Sequence, residues 1–128
     1  TVMNDVTARD LQRQHKQFFK GKSLDGSAPL GPWIVTADEI DDPQNLQVTC
    51  AVNGVQKQEG HTSQMIFSIA ETIYQLSKGM TLLAGDIIAT GTPSGVGFAR
   101  TPPEYLKPGD EIVCTVERIG SIRNRIAG

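Results

Sequence analysis

The sequence predicts an α+β fold with a mostly antiparallel or mixed sheet, and three observations carry that reading. Runs of β-type residues outnumber helical runs and do not alternate with them. Residues 46–58, LQVTCAVNGVQKQ, set two such runs around Asn53-Gly54, the pair that a two-residue type I′ hairpin turn requires. Only two stretches carry a helical pattern of apolar residues. With 128 residues and 38% hydrophobic side chains, the chain has the size and apolar content of one domain, residues 1–128, with its own core.

From the N-terminus, TVMND alternates polar and apolar residues and reads as a short strand. In TARD, Thr7 fits a helix N-cap and Asp10 its acidic partner three residues on, a capping box. The helix is expected over ARDLQRQHKQFF, with Leu11, His15 and Phe18 on one face. KGKSLDGSAPLGPW is rich in Gly, Pro and Ser, so turns come next. After the hairpin, SIAETIYQLSKG is a second helix. Ser68 and Glu71 form its capping box, Ile69, Ile73 and Leu76 its buried stripe, and Lys78-Gly79 its end. AGDIIAT and PGDEIVCTV each lead from a Gly-Asp turn into a strand. GTPSGVGFARTPPEY between them is a second long structured loop, and SIRNRIA is the last strand. Cys50 and Cys114 lie in alternating strand-like runs and read as small core residues with free thiols rather than as a disulfide.

Charge and hydropathy exclude whole classes. A net charge of −2 without a run of like charges gives no basic footprint for nucleic acid or a membrane surface. The longest apolar runs are far too short to span a bilayer. No secretory signal is visible, so a soluble, intracellular, cytoplasmic protein is expected. The chain starts at Thr1 with a strand already in progress, so its N-terminal portion is expected to be missing.

Several groups can carry chemistry. Asp5 sits at a strand end just before a helix, and Thr7 relieves it of capping duty. Residue type and spacing leave two readings open: a turn-former beside solvated helix charges at Arg9 and Asp10, or an oxygen ligand for a divalent cation. Lys22 in KGKS is either a solvated loop lysine or a partner for a substrate carboxylate or enolate oxygen. GTPSGVG offers the Thr92 and Ser94 hydroxyls and open backbone N–H groups to an anion, but it lacks the Gly-Lys-Ser/Thr ending of a P-loop. The acidic run DEIDD precedes Pro43 and reads as a solvated loop. His15 and His61 fit no zinc spacing, and His61 reads as a turn histidine. Nothing resembles a nucleophile elbow.

Taken in order, NDVTARDLQ, GKSLDGSAPLGPW, VNGVQKQEGHTSQMIFSI, LLAGDIIATGTPSGVG and LKPGDEIVCTVERIGSIRNRI resemble the C-terminal part of the fumarylacetoacetate hydrolase family over essentially the whole chain. The resemblance implies a mixed β-sandwich roll with a few short helices, generally a homodimer. It also implies an enzyme using Mg²⁺ or Mn²⁺, with Ca²⁺ a third candidate, on a small 2-oxo acid. The implied chemistry is acylpyruvate or fumarylpyruvate hydrolysis or oxaloacetate decarboxylation, in which the metal stabilises the enolate left when a C–C bond breaks. A 2-hydroxyhepta-2,4-diene-1,7-dioate isomerase or decarboxylase of aromatic catabolism is the alternative. A truncated core that only self-associates is an alternative of another class. Carried over by motif, Asp5 is a metal ligand, Gln12 a substrate contact, Lys22 a catalytic and substrate-binding residue, and Thr92 the binder of a substrate carboxylate. Arg9 and Asp10 are expected to orient the site. The family's Glu-x-Glu metal ligands and its His/Glu water-activating dyad lie upstream of the matching blocks.

Overall fold

The structure, a computed structural model, describes residues 1–127. Strand β1 (Val2–Met3) is succeeded by helices α1 (Arg9–His15) and α2 (Phe18–Lys22) and strand β2 (Leu30–Gly31). Strands β3 (Gln47–Val52) and β4 (Val55–His61), helix α3 (Ile69–Ser77) and strands β5 (Glu111–Val116) and β6 (Gly120–Arg125) complete the order. β1 pairs with β2, and the main sheet runs β4-β3-β5-β6, every pairing antiparallel. Two sheets and three short helices make the α+β class that the strand-rich sequence predicts.

The hairpin forms as its turn residues require. Asn53 (φ 51°) and Gly54 (φ 77°) both take the left-handed conformation of a type I′ turn. The Asn53 side chain also donates to Asp110 Oδ1 at 2.8 Å and accepts from the Glu111 N–H at 2.9 Å, fastening the turn to the start of β5. That first bond holds the Asp110 carboxyl below the usual carboxylate range. Beneath the sheet Val2, Ile40, Leu46, Ile112 and Ile122 are buried. Each such side chain contributes roughly 1.5–3 kcal/mol of transfer free energy. Val2 is 2% exposed and packs with β1 across β5 and β6, so the residues just after it start from a fixed point.

The two Gly-Asp turns are the same structure. Asp86 Oδ2 accepts from the Leu83 N–H at 2.8 Å, while the Asp86 N–H donates to the Leu83 carbonyl at 3.1 Å. Asp110 repeats both bonds with Lys107, at 2.8 and 3.0 Å. The segments leaving the two turns differ. PGDEIVCTV enters β5, as predicted, between β3 and β6. AGDIIAT forms no strand among the described residues, and Ile87 is 62% exposed. A β-type run becomes a strand only where a neighbour supplies the facing N–H and C=O groups, and none of the described strands reaches it.

Helix α3 likewise matches locally and departs globally. Ser68 Oγ caps it by accepting from the Glu71 N–H at 3.0 Å. The reciprocal half of the predicted capping box is absent, because the Glu71 carboxylate takes the Gln75 amide instead. The stripe is not buried either: Ile69 and Leu76 are half-buried and Ile73 is 44% exposed. Local rules set the cap, whereas burial needs an opposing surface that the described residues do not provide. Ser68→Ala should therefore cost about 1 kcal/mol of α3 stability, visible as reduced helical circular dichroism before the global transition. Unaltered helicity would show that the cap contributes nothing. His61 keeps a turn role, its Nδ1 lying 2.7 Å from Ser63 Oγ as it caps the 3₁₀ turn Thr62–Gln64.

Candidate active site

Asp5 is held from both sides along the chain. The Asn4 N–H donates to the Pro29 carbonyl at 3.0 Å and the Val6 N–H to the Ser27 carbonyl at 2.9 Å. Strand alternation turns Asn4 inward, where it is 8% exposed and its Nδ2 donates to Asn124 Oδ1 of β6 at 3.2 Å. Asp5 therefore faces the other way, and its carboxylate receives the Lys22 ammonium at 2.5 Å. The two side chains are 35% and 31% exposed. So open an ion pair contributes little to stability, roughly 0–1 kcal/mol, and its weight lies in local chemistry.

Lys22 reaches Asp5 because the predicted helix breaks. Lys16 adopts the left-handed conformation (φ 53°) and ends α1, so α2 folds back instead of extending it. A continuous helix through Phe19 would have carried Lys22 roughly 20 Å away along its axis. Gly21 makes the return possible: a Cβ there would stand 2.8 Å from the Ala8 carbonyl oxygen and 3.0 Å from Gln12 Cβ. The Ala8 N–H donates to the Gly21 carbonyl at 2.8 Å across the same contact. The predicted Thr7–Asp10 capping box does not form, since Ala8 is the N-cap and no side chain caps α1. The predicted apolar face fails as well, with Leu11 half-buried, His15 exposed and Phe18 60% exposed. Tertiary docking of α2 onto the first turn replaces both.

A cleft of about 1140 Å³ opens beside Asp5, bounded by the main sheet and by the loop after α3. Asp5, Arg9, Cys50, Gln58, Phe98 and Arg100 are among its walls. Lys22, Gln12 and Thr92 are not wall residues, yet each is bonded to one. Lys22 pairs with Asp5, Gln12 Oε1 accepts from the Arg9 guanidinium, and Thr92 Oγ1 accepts from Gln58 Nε2 at 2.8 Å. The structure therefore groups Asp5, Lys22 and Gln12 at the α1–α2 pair and sets Thr92 on the β4 side. No hydrogen bond among the described residues joins the two groups.

The loop carrying Thr92 is docked at a bulge. The register of β3 with β4 shifts between Cys50, opposite Gln58, and Ala51, opposite Gln56, which leaves Lys57 unpaired. The Lys57 carbonyl accepts from the Arg100 guanidinium, and its ammonium lies 2.6 Å from Glu104. That hydrogen bond holds the Glu104 carboxyl below its ordinary range. Phe98 then reaches α1, with the Arg9 guanidinium 4.0 Å over its ring. Reading the sequence missed Asn4, Gln58, Phe98 and Arg100. Period-two alternation from Val2 could have marked Asn4 as inward-facing; the other three depend on the bulge, which has no local signature.

Among the described residues no group of three or more His, Cys, Asp or Glu is placed to hold a metal ion. A hard divalent cation takes one or two protein carboxylates and completes its shell with water and substrate. Asp5 fits as one such donor, and the set is not complete within these residues.

The sequence profile described as fumarylacetoacetate (FAA) hydrolase C-terminal matches residues 1–127. The chain belongs to the fumarylacetoacetate hydrolase family. It is 58% identical over 126 residues to oxaloacetate tautomerase YisK of Bacillus subtilis, covering 98% of this chain and 42% of that protein. Among solved structures it resembles the fumarylacetoacetate hydrolase of the psychrophile Exiguobacterium antarcticum, with TM-score 0.96, 51% identity, and coverage of 98% of this chain and 45% of that one. It also resembles a 2-hydroxyhepta-2,4-diene-1,7-dioate isomerase from Mycobacterium marinum, with TM-score 0.86, 42% identity, and coverage of 98% and 46%. The chain spans less than half the length of these relatives. In this fumarylacetoacetate hydrolase-family chain, no helix among the described residues is long and apolar enough to cross a membrane.

Proposed function

We propose that this chain forms the Asp5–Lys22 side of an active site that acts on 2-oxo acids through their enol forms, with keto–enol tautomerisation of an oxaloacetate-like dicarboxylate as the reaction. The observation that carries the reading is the carboxylate–ammonium pair at 2.5 Å, whose Asp5 member lines the cleft. Tautomerisation moves one proton between carbon and oxygen and breaks no C–C bond, so it needs proton exchange at both atoms and a stabilised enolate oxygen between them, and no activated water. The likeness to a tautomerase and to an isomerase supports this choice over hydrolysis or decarboxylation, both of which break a C–C bond. Acylpyruvate hydrolysis is the second reading, favoured by the likeness to a maleylpyruvate hydrolase from Sphingobium, at 37% identity and TM-score 0.78.

In this proposal Asp5 is one oxygen donor to Mg²⁺ or Mn²⁺, with Ca²⁺ a third candidate, and the cation when bound supplies positive charge against the substrate's oxygens. Lys22, released from Asp5, presents its ammonium to the oxygen on which negative charge develops. Gln12, steadied by Arg9, and Thr92, steadied by Gln58, take the remaining carbonyl and carboxylate oxygens. The proposed setting is a homodimer in the cytoplasm.

The test is the ultraviolet decay of enol-oxaloacetate with the purified full-length protein, with Mn²⁺ and with chelator, run beside an acylpyruvate. Chelator-sensitive acceleration of the enol decay is the expected result; rates equal to buffer with both substrates would end the enzyme reading. Lys22→Met should lower kcat by about 100-fold or more, the range for removing one hydrogen-bond donor to a developing oxyanion, while calorimetry finds Mn²⁺ affinity undiminished. A variant with wild-type kcat would leave Lys22 without a catalytic role.

A further inference from the structure

Cys50 and Cys114 face each other across β3 and β5, both free and half-buried, with their Sγ atoms 3.8 Å apart. They are direct register partners, so both side chains stand on one face of the sheet. The type of pair decides what they can do. The Asn53 N–H donates to the Glu111 carbonyl at 2.8 Å, and the Glu117 N–H donates to the Gln47 carbonyl at 2.9 Å, marking hydrogen-bonded pairs at the two ends of this ladder. Alternation inward from either end makes Cys50–Cys114 a non-hydrogen-bonded pair. At such pairs the Cα atoms lie about 4.5 Å apart, inside the roughly 4.4–6.8 Å that a disulfide spans. Side-chain rotation can close the gap without a slip of register.

We propose that Cys50 and Cys114 form an oxidisable dithiol in the wall of the cleft, a modification site whose reactant is a hydroperoxide. Cys50 is a cleft wall residue, so a small peroxide reaches it first. The hydrogen bond shared by the two thiols favours the Cys50 thiolate and pushes the Cys114 thiol up, which makes Cys50 the attacking sulfur. The Cys50 thiolate attacks one peroxide oxygen, the O–O bond breaks, and the departing oxygen takes a proton and leaves as water or alcohol. The Cys50 sulfenic acid then loses its oxygen as water when Cys114, giving up its proton, attacks the Cys50 sulfur. Two electrons pass from the thiols to the peroxide, and atoms balance. Gln58, the register partner of Cys50 in β4, is the residue that holds Thr92, so the dithiol lies one strand from that side of the cleft.

The experiment treats the purified full-length protein with hydrogen peroxide, alkylates it, and maps peptides by mass spectrometry without reduction. Expected is a linked peptide pair containing Cys50 and Cys114, lighter by two hydrogens and reversed by dithiothreitol. In Cys114→Ser, a sulfenic acid at Cys50 that dimedone traps should accumulate. Two results would overturn the proposal: Cys50 climbing to sulfinic or sulfonic acid with no linked pair, or both thiols still alkylating at the untreated rate.

Discussion

Asp5→Ala in the full-length protein should weaken Mn²⁺ binding by at least about 100-fold and remove most of the turnover. Groups that merely orient a metal ligand cost up to about 100-fold in affinity or activity when lost, so the loss of a carboxylate proposed to donate directly sets that as the floor. The fold should survive, because the Asp5–Lys22 pair is about one-third exposed and contributes roughly 1 kcal/mol at most. The anchors on either side, the Asn4 and Val6 N–H bonds to residues 29 and 27, do not involve the Asp5 side chain. Isothermal calorimetry with Mn²⁺, paired with a thermal melt, separates the two effects. Wild-type affinity in a well-folded Asp5→Ala protein would strike Asp5 from the ligand set, and Asp5→Asn would show how much of the loss is charge alone.

Gly95→Ala should be among the most damaging single methyl groups in the described chain. Its φ is 102°, a conformation that side-chain-bearing residues rarely adopt, and a Cβ there would lie 2.2 Å from the Lys57 carbonyl oxygen. The obstacle is backbone, so it cannot swing aside. That same oxygen accepts from Arg100, whose Nε also donates to the Gly95 carbonyl at 3.0 Å. Backbone strain of about 1–3 kcal/mol and a lost hydrogen bond of about 1 kcal/mol together suggest roughly 3 kcal/mol. The loop should lift from the β4 bulge, carrying Thr92 with it, so KM for the proposed 2-oxo acid substrate should rise more than kcat falls. Gly26→Ala is the control: φ is 70° there, but nothing lies within 4 Å of the added Cβ. It should show the smaller cost of strain alone, roughly 1–2 kcal/mol. Equal urea midpoints for the two variants would refute the close contact with Lys57.

The elements read correctly from sequence are those whose cause is local. Asn53-Gly54 forces its hairpin because both residues tolerate positive φ, Ser68 caps α3 through a bond three residues long, and the two Gly-Asp turns fold identically because each aspartate closes its own turn. Asp5 could be singled out as a spare carboxylate at a strand end. Its pairing with Lys22 could not, because that depends on α2 folding back onto α1, and nothing in the intervening residues, Lys16 included, marks the reversal. Lys22 and Thr92 stood out only as loop residues able to meet an anion, and the family resemblance alone gave them definite roles and brought in Gln12.

What the sequence determined by itself, then, is the set of short-range structures and the family motifs they carry. The tertiary structure decided which residues meet: Lys22 with Asp5, Arg9 with Gln12 and Phe98, and Lys57 with Arg100 and Glu104. It also decided which apolar runs find a partner. DEIVCTV lies between two strands and becomes β5, while DIIAT, of similar β character, has no described neighbour and does not. The physical reason is the same throughout. A turn or cap satisfies its hydrogen bonds within a few residues, whereas a strand, a buried stripe or an ion pair is completed by groups distant in the chain.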